Sequence, residues 1–130
     1  LIWDKRCGVC PPRSQADCEV AWHSVDGPAR ICRHMWDGMV RDSECGAQRE
    51  HPTQKPVEVM KWCIGHVPAP NQTIFDPFAG SGTTGVAAVQ MGKAFVGIER
   101  EERYFEAACR RIREANGDDA GPLFIAGATP

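Results

Sequence analysis

Between residues 73 and 99 the chain reads strand, glycine-rich turn, helix, strand, and that order leaves few folds open. Thr73-Ile74-Phe75-Asp76 is a short apolar strand and Pro77 to Gly82 a turn rich in glycine. A helix from Thr83 to about Met91 follows, stopped by Gly92, and Ala94-Phe95-Val96-Gly97-Ile98-Glu99 is a second strand. This second strand is apolar nearly throughout, as expected of a parallel strand covered on both faces. Two consecutive parallel strands need a right-handed crossover, here supplied by the helix, so the segment predicts an α/β unit with a mostly parallel sheet.

Helices are expected on either side. Val57, Met60 and Ile64 follow helical spacing, with Pro56 placed as the first helical residue and Gly65 and Pro68 ending the helix. A third helix spans about Glu102 to Ala115, with Tyr104 or Phe105, Ala108 and Ile112 as its core stripe. Glutamates crowd its first turns and arginines its last, which matches the macrodipole. Asn116-Gly117 closes it, and residues 117–130 read as a flexible tail.

Before residue 51 the pattern is weaker. Leu1-Ile2-Trp3 reads as a strand, Val20 and Trp22 alternate with Glu19, Ala21 and His23 as in a half-buried strand, and residues 24–50 read as loops around a partly apolar piece at Ile31 to Trp36. Ten prolines and 13 glycines in 130 residues fit a loop-rich first part, while 42% hydrophobic residues suffice for a core. The expected division is residues 1–50, 51–116 and the tail 117–130. No stretch reaches the roughly 20 apolar residues that cross a bilayer, and no basic segment leads into an apolar one as in a signal peptide, so a soluble, cytoplasmic protein is expected. The chain starts at Leu1 inside an apparent strand and is expected to be part of something longer. Fifteen basic and 17 acidic residues leave a net charge of −2, so any contact with DNA has to come from a local patch.

The chemistry is expected at Asp76-Pro77-Phe78-Ala79-Gly80-Ser81-Gly82-Thr83. Where a strand turns into a helix, backbone N–H groups face outward from the carboxyl edge of the sheet and form a ligand site. Gly80 and Gly82 let the main chain approach a ligand, and Gly85 completes G-x-G-x-x-G, a pattern that a nicotinamide-dinucleotide fold shares. Glu99, ending the next strand, is placed to accept hydrogen bonds from ribose hydroxyls in either case. The plainer alternative is a tight turn capped by Asp76. Charge separates the two ligands. A dinucleotide brings a doubly negative pyrophosphate, which a carboxylate at about 4–6 Å repels by several kcal/mol. S-adenosylmethionine has no phosphate and brings an ammonium and a cationic sulfonium, which Asp76 attracts.

His51-Pro52-Thr53-Gln54-Lys55-Pro56, then the string from Asp76 to Gly85, then Gly97-Ile98-Glu99-Arg100 followed by Tyr104-Phe105, resembles the DNA adenine and cytosine-amino methyltransferases of the permuted class. These are common in bacteria and phages, and in them the catalytic half precedes the cofactor half. The resemblance is strong over about residues 51–113 and fainter for Leu1 to Lys5 and Glu19 to His23. It implies a Rossmann-like methyltransferase fold, present incompletely, and methyl transfer from S-adenosylmethionine to the exocyclic amino group of adenine or cytosine in double-stranded DNA. It further implies that residues 76–83 wrap the methionine part, that Glu99, beside Arg100, holds the ribose, and that Thr53, Gln54 and Lys55 give donors to the cofactor carboxylate.

One departure from the family weighs on function. The exocyclic amino group is a poor nucleophile, and family members hold it with a tetrapeptide of Asp, Asn or Ser, then Pro-Pro, then an aromatic residue. The only Pro-Pro here, Pro11-Pro12, lies between Cys10 and Arg13. No residue is therefore assigned a catalytic role, and an N-terminal catalytic segment is expected as a partner. Without that segment's strands, an exposed sheet edge would favour pairing of two copies. The alternatives are a cofactor-binding remnant without chemistry and, further off, an NAD-dependent oxidoreductase.

Weaker constellations remain. Seven cysteines (7, 10, 18, 32, 45, 63 and 109) are irregularly spaced and read as reduced thiols. Cys7, Cys10, Cys18 and His23 offer zinc-type ligands, but a strand over residues 18–23 would point Cys18 and His23 to opposite faces, so no metal is expected. Arg30, Arg33 and Arg41, with His34, lie where family members carry target recognition; they read as DNA phosphate contacts or as a solvated face. Trp36 reads as core or as a base-stacking ring.

Overall fold

The computed structural model describes residues 1–8, 14–38, 40–67 and 73–117, and the backbone of 124–127. The chain divides into two compact units, Leu1–Ala47 and Gln48–Pro130.

In the first unit, β1 (Ile2–Asp4) runs antiparallel to β2 (Cys18–Val20) and parallel to β3 (Ile31–Arg33), with Ile2 opposite both Val20 and Ile31. A second ribbon pairs β4 (Trp36–Asp37) with β5 (Val40–Arg41). Trp3, Met35 and Trp36 form its buried apolar centre, and the Trp3 indole N–H donates to the His34 carbonyl at 2.9 Å. The partly apolar piece from Ile31 to Trp36 holds β3 and the start of β4, and the face expected for residues 18–23 is inverted. Val20 and Trp22 are 78% and 88% exposed. The strand ends at Val20, so the alternation seen in the sequence runs on into a loop. Its inward residue is Glu19, whose carboxylate is held by Lys5 Nζ at 3.3 Å.

The second unit is the α/β unit expected. β6 (Thr73–Asp76), β7 (Ala94–Glu99) and β8 (Phe124–Gly127) form a parallel sheet in that order, with Thr73 opposite Ala94 and Val96 opposite Phe124. The helices are α1 (Val57–Gly65), α2 (Thr83–Gln90) and α3 (Glu102–Asn116), and α2 packs against both of the others. It can do so because Ala87 and Ala88, both fully buried, keep its two flanks thin. Val57, Ile64, Val86, Phe95, Ala108 and Ile112 fill the core around them.

Details depart from expectation for local reasons. Pro56 is buried but extended (ψ 141°), so it precedes the helix and Val57 begins it. The buried face of α1 is Val57, Val59 and Ile64, with Met60 half-buried against the core. On α3, Ala107, Ala108 and Ile112 are buried, whereas Tyr104 and Phe105 are half-exposed. Pro68 lies outside the described residues. The tail expected to be flexible contains β8, which extends the sheet on the far side of β7.

Candidate functional site

The carboxyl ends of β6 and β7 lie side by side, Asp76 opposite Gly97, and the glycine-rich turn rises between them. The turn is fixed by its own backbone. Asp76 Oδ1 accepts the Phe78 N–H at 3.0 Å, Ala79 N–H reaches back to the Ile98 carbonyl at 2.9 Å, and Gly82 N–H closes onto the Ala79 carbonyl at 2.8 Å. Glu99 ties it to the next loop: one carboxylate oxygen accepts the Gly80 N–H and the other the Glu101 N–H, each at 2.8 Å. Carboxylates of Asp76 and Glu99 thus stand at the mouth of the turn, each bonded to its backbone. Phe78 stands 88% exposed beside them, and Pro77 and Arg100 are exposed as well. Arg100 lies 3.5 Å from the Glu101 carboxylate.

The glycines of the motif do different work. Gly80 (φ +54°) faces open space: a Cβ there would meet only His51 Cδ2, at 4.0 Å. Gly82 (φ +76°) faces α3, where a Cβ would come within 2.8 Å of Ala108 Cβ. At Gly85 a Cβ would lie 2.4 Å from Ile112 Cδ1 and 2.7 Å from Phe95 Cε1. Only Gly80 therefore offers close approach to a ligand; the approach that Gly82 permits is to a helix.

Residues 49–55 form the neighbouring wall. The His51 ring packs edge-on to Tyr104 (centroids 4.3 Å apart), and its Nδ1 accepts the Thr53 N–H at 3.1 Å. Gln54 is buried, and its side-chain oxygen accepts the Glu50 N–H at 3.0 Å and the Ser81 hydroxyl at 3.3 Å. Ser81 and Thr83 are buried too, both bonded to Arg111. Lys55 is half-buried next to Pro56. A pocket of about 400 Å³ opens between Arg49, Glu50, His51, Pro52, Arg103 and Tyr104, and its His51 edge is the one that Gly80 faces. Of the thirteen residues expected to hold a cofactor, Ala79 is buried in the core, while Asp76, Pro77, Phe78, Gly80, Glu99 and Arg100 lie at the open side. Gln54, Ser81, Gly82 and Thr83 lie beneath it, and Thr53 and Lys55 are on the adjoining wall. Reading the sequence missed His51 as a packing partner and missed Arg111 altogether.

In the first unit, Arg30 is exposed, and Arg33 is 72% exposed with its Nε 3.7 Å from Asp4 Oδ2. Arg41 is engaged: Nε donates to the Gly38 carbonyl at 3.0 Å, Nη1 to the Ala47 carbonyl at 3.1 Å, and the guanidinium lies over the Trp36 ring at 4.8 Å. Trp36 is core, 7% exposed, and is not available as a stacking platform. His34 Nε2 is 2.8 Å from Ser43 Oγ. Because β2 ends at Val20, strand parity no longer bears on whether Cys18 and His23 can meet, and Cys10 lies outside the described residues. Burial, with Asp4 and Asp42 nearby, pushes the Cys7 thiol up, and burial alone does so for Cys32.

Residues 18–110 match the profile of a family described as DNA methylase. The chain belongs to that family. It is 40% identical over 75 residues to the type II methyltransferase M.HinfI of Haemophilus influenzae, covering 58% of this chain and 20% of that protein. To the type II methyltransferase M2.LlaDCHI of Lactococcus lactis subsp. cremoris it is 40% identical over 83 residues, 63% of this chain and 30% of that protein. Among solved structures it resembles the M1.HpyAVI–SAM complex with a TM-score of 0.62 and 28% identity, over 86% of this chain and 60% of that one. The chain thus spans less than a third of the two curated relatives. The family and the parallel α/β fold read from the three motifs are borne out.

Proposed function

We propose that this chain is the S-adenosylmethionine-holding part of a DNA amino-methyltransferase, and that methyl transfer requires a segment it does not contain. The observation that carries the reading is the pairing of an open glycine, Gly80, with two carboxylates, Asp76 and Glu99, at the ends of adjacent parallel strands. A mouth of this charge repels a pyrophosphate and suits a cation. The open face at Gly80 leaves the room a ligand needs, and the related M1.HpyAVI structure is a complex with SAM.

When bound, that cofactor supplies an electrophilic methyl group. The residues of this chain bind and orient. Asp76 would hold the ammonium, Glu99 would give an oxygen to the ribose hydroxyls, and the exposed Phe78 would offer its ring to one side of the cofactor. Thr53, Gln54 and Lys55 form the wall towards the cofactor carboxylate, and Ser81, Gly82 and Thr83 hold the turn from below. The target amino nitrogen must also be held in line with its hydrogens accepted, and misplacement costs orders of magnitude in rate. No Asp/Asn/Ser-Pro-Pro-aromatic string exists in this sequence to do that. Exposed Arg30 and Arg33 are the candidate DNA phosphate contacts; Arg41 is left out because its guanidinium is engaged by carbonyls and Trp36. A cytoplasmic place of action, in a bacterium or in one infected by a phage, goes with this substrate.

Calorimetry with S-adenosylmethionine and with NAD tests the reading. The first should bind and the second should not. Glu99→Ala should weaken binding by about 1–3 kcal/mol, the range for a hydrogen bond to a charged group. Glu99→Gln should fall between, because it keeps an acceptor for Gly80 while losing the charge. Radiolabelled methyl should reach duplex DNA only when a tetrapeptide-bearing segment is supplied. Binding of NAD instead, or transfer by residues 1–130 alone, would overturn the proposal.

A further inference from the structure

α3 carries two consecutive arginines with different surroundings. Arg110 forms an exposed pair with Glu50 at 2.6 Å. Arg111, one helical turn beyond Ala108, turns towards the glycine-rich turn: Nη1 donates to the Ser81 carbonyl at 2.6 Å, to Ser81 Oγ at 3.1 Å and to Thr83 Oγ1 at 3.3 Å. The Ser81 hydroxyl in turn donates to the buried Gln54 oxygen, which also accepts the Glu50 N–H.

We infer that Arg111 is a positioning residue of the cofactor site: from α3 it fastens residues 81–83 and, through Ser81 and Gln54, residues 50–54, and so sets the gap between the two segments that flank the ligand. The physical need is specific. Gly82 takes a left-handed backbone against Ala108, and the preceding Ser81 is itself buried, its carbonyl bonded by Arg111. A buried carbonyl left without a donor is costly, and a cationic donor makes the stronger bond. Spacing places Arg111 for this task, since Ala108, Arg111 and Ile112 lie at i, i+3 and i+4 on one face of α3. Arg110 instead meets the Glu50 carboxylate, on the exposed side of the helix. The inference rests on the proposed cofactor reading.

Hydrogen exchange on the whole 130-residue chain, without ligand, reads the clamp directly. In Arg111→Met the amides of residues 79–83 and 50–54 should exchange at least tenfold faster, while those of β7 keep their protection. S-adenosylmethionine affinity should fall about tenfold, and Arg111→Lys should restore part of both. In a double-mutant cycle, Gln54→Ala should add little to Arg111→Met, because both break one chain of bonds. Arg113→Met removes the same charge from the exposed side of α3 and should change affinity less than twofold. Uniformly faster exchange through α2 and β7, full additivity with Gln54→Ala, or an equal effect of Arg113→Met would overturn the assignment. A wild-type chain that binds no S-adenosylmethionine counts against the proposed function and leaves the exchange result to decide the clamp.

Discussion

Replacing Gly82 by alanine should destabilise the second unit more than replacing Gly80, although both glycines have positive φ (76° and 54°). The backbone contribution is shared: an L-residue held in the left-handed region costs about 1–2 kcal/mol. Packing is not shared. At Gly82 the new methyl group would sit 2.8 Å from Ala108 Cβ and 2.9 Å from Ala108 Cα, and the latter is helix backbone that cannot swing aside. Overpacking of this kind adds about 1–3 kcal/mol. The sum for Gly82→Ala is about 2–5 kcal/mol, against about 1–2 kcal/mol for Gly80→Ala. Urea unfolding followed by the helical circular dichroism signal measures this, since all described helices lie in Gln48–Pro130. Ligand affinity should show the reverse order, with Gly80→Ala, whose methyl points into the open side, losing more binding per unit of stability lost. Equal destabilisation by the two substitutions would show that α3 does not press on the turn at Gly82.

Other outcomes follow from the same structure. Iodoacetamide should alkylate exposed Cys18 and Cys45 before Cys7 and Cys32; the raised pKa of the latter pair lowers their thiolate fraction, so their reaction should need higher pH, as peptide mass spectrometry can follow. Elemental analysis should find no stoichiometric zinc, since among the described residues no three His, Cys, Asp or Glu side chains gather as ligands; one zinc per chain, lost in Cys7→Ser, would refute this. If Arg30 and Arg33 touch DNA phosphates in the complete enzyme, Arg30→Gln and Arg33→Gln should each lower the slope of log affinity against log salt by about one, while leaving sequence preference unchanged.

The second unit was readable because its signals are local. Apolar runs of strand length, a glycine turn and helix stops lie within single elements, and β6, α2 and β7 were found close to where they lie. β8 was missed because Phe124 to Gly127 is short and follows a run of small and acidic residues, so that its strand character comes from pairing with β7. Residues 18–23 misled because a period-2 pattern in so short a strand does not say which face is inward; the register with β1 decides it, setting Glu19 opposite buried Trp3. At the site, the carboxylates and glycines were legible as a group that the fold brings to one edge of the sheet, but their division of labour was invisible. Whether a glycine faces a ligand or a helix depends on where α3 returns.

On the proposed reading, that return lets one motif serve both stability and binding without the two being inseparable. α3 begins just after Glu99, whose carboxylate bonds the Gly80 and Glu101 N–H groups, and it runs back beneath the turn. Along its face, Ala108 leaves room for Gly82, Arg111 takes the Ser81 carbonyl and Ile112 fills the space beside Gly85. The turn is therefore held at its floor by the helix and at its rim by the carboxylate of Glu99. A rim bond can be exchanged for a ligand hydroxyl at small net cost, because one acceptor oxygen serves either donor. The floor cannot be exchanged, because its groups are buried and would be left without partners. A turn built this way keeps its shape while its outer hydrogen bonds change hands, and preorganisation of that kind lowers the ordering cost of binding a flexible cofactor.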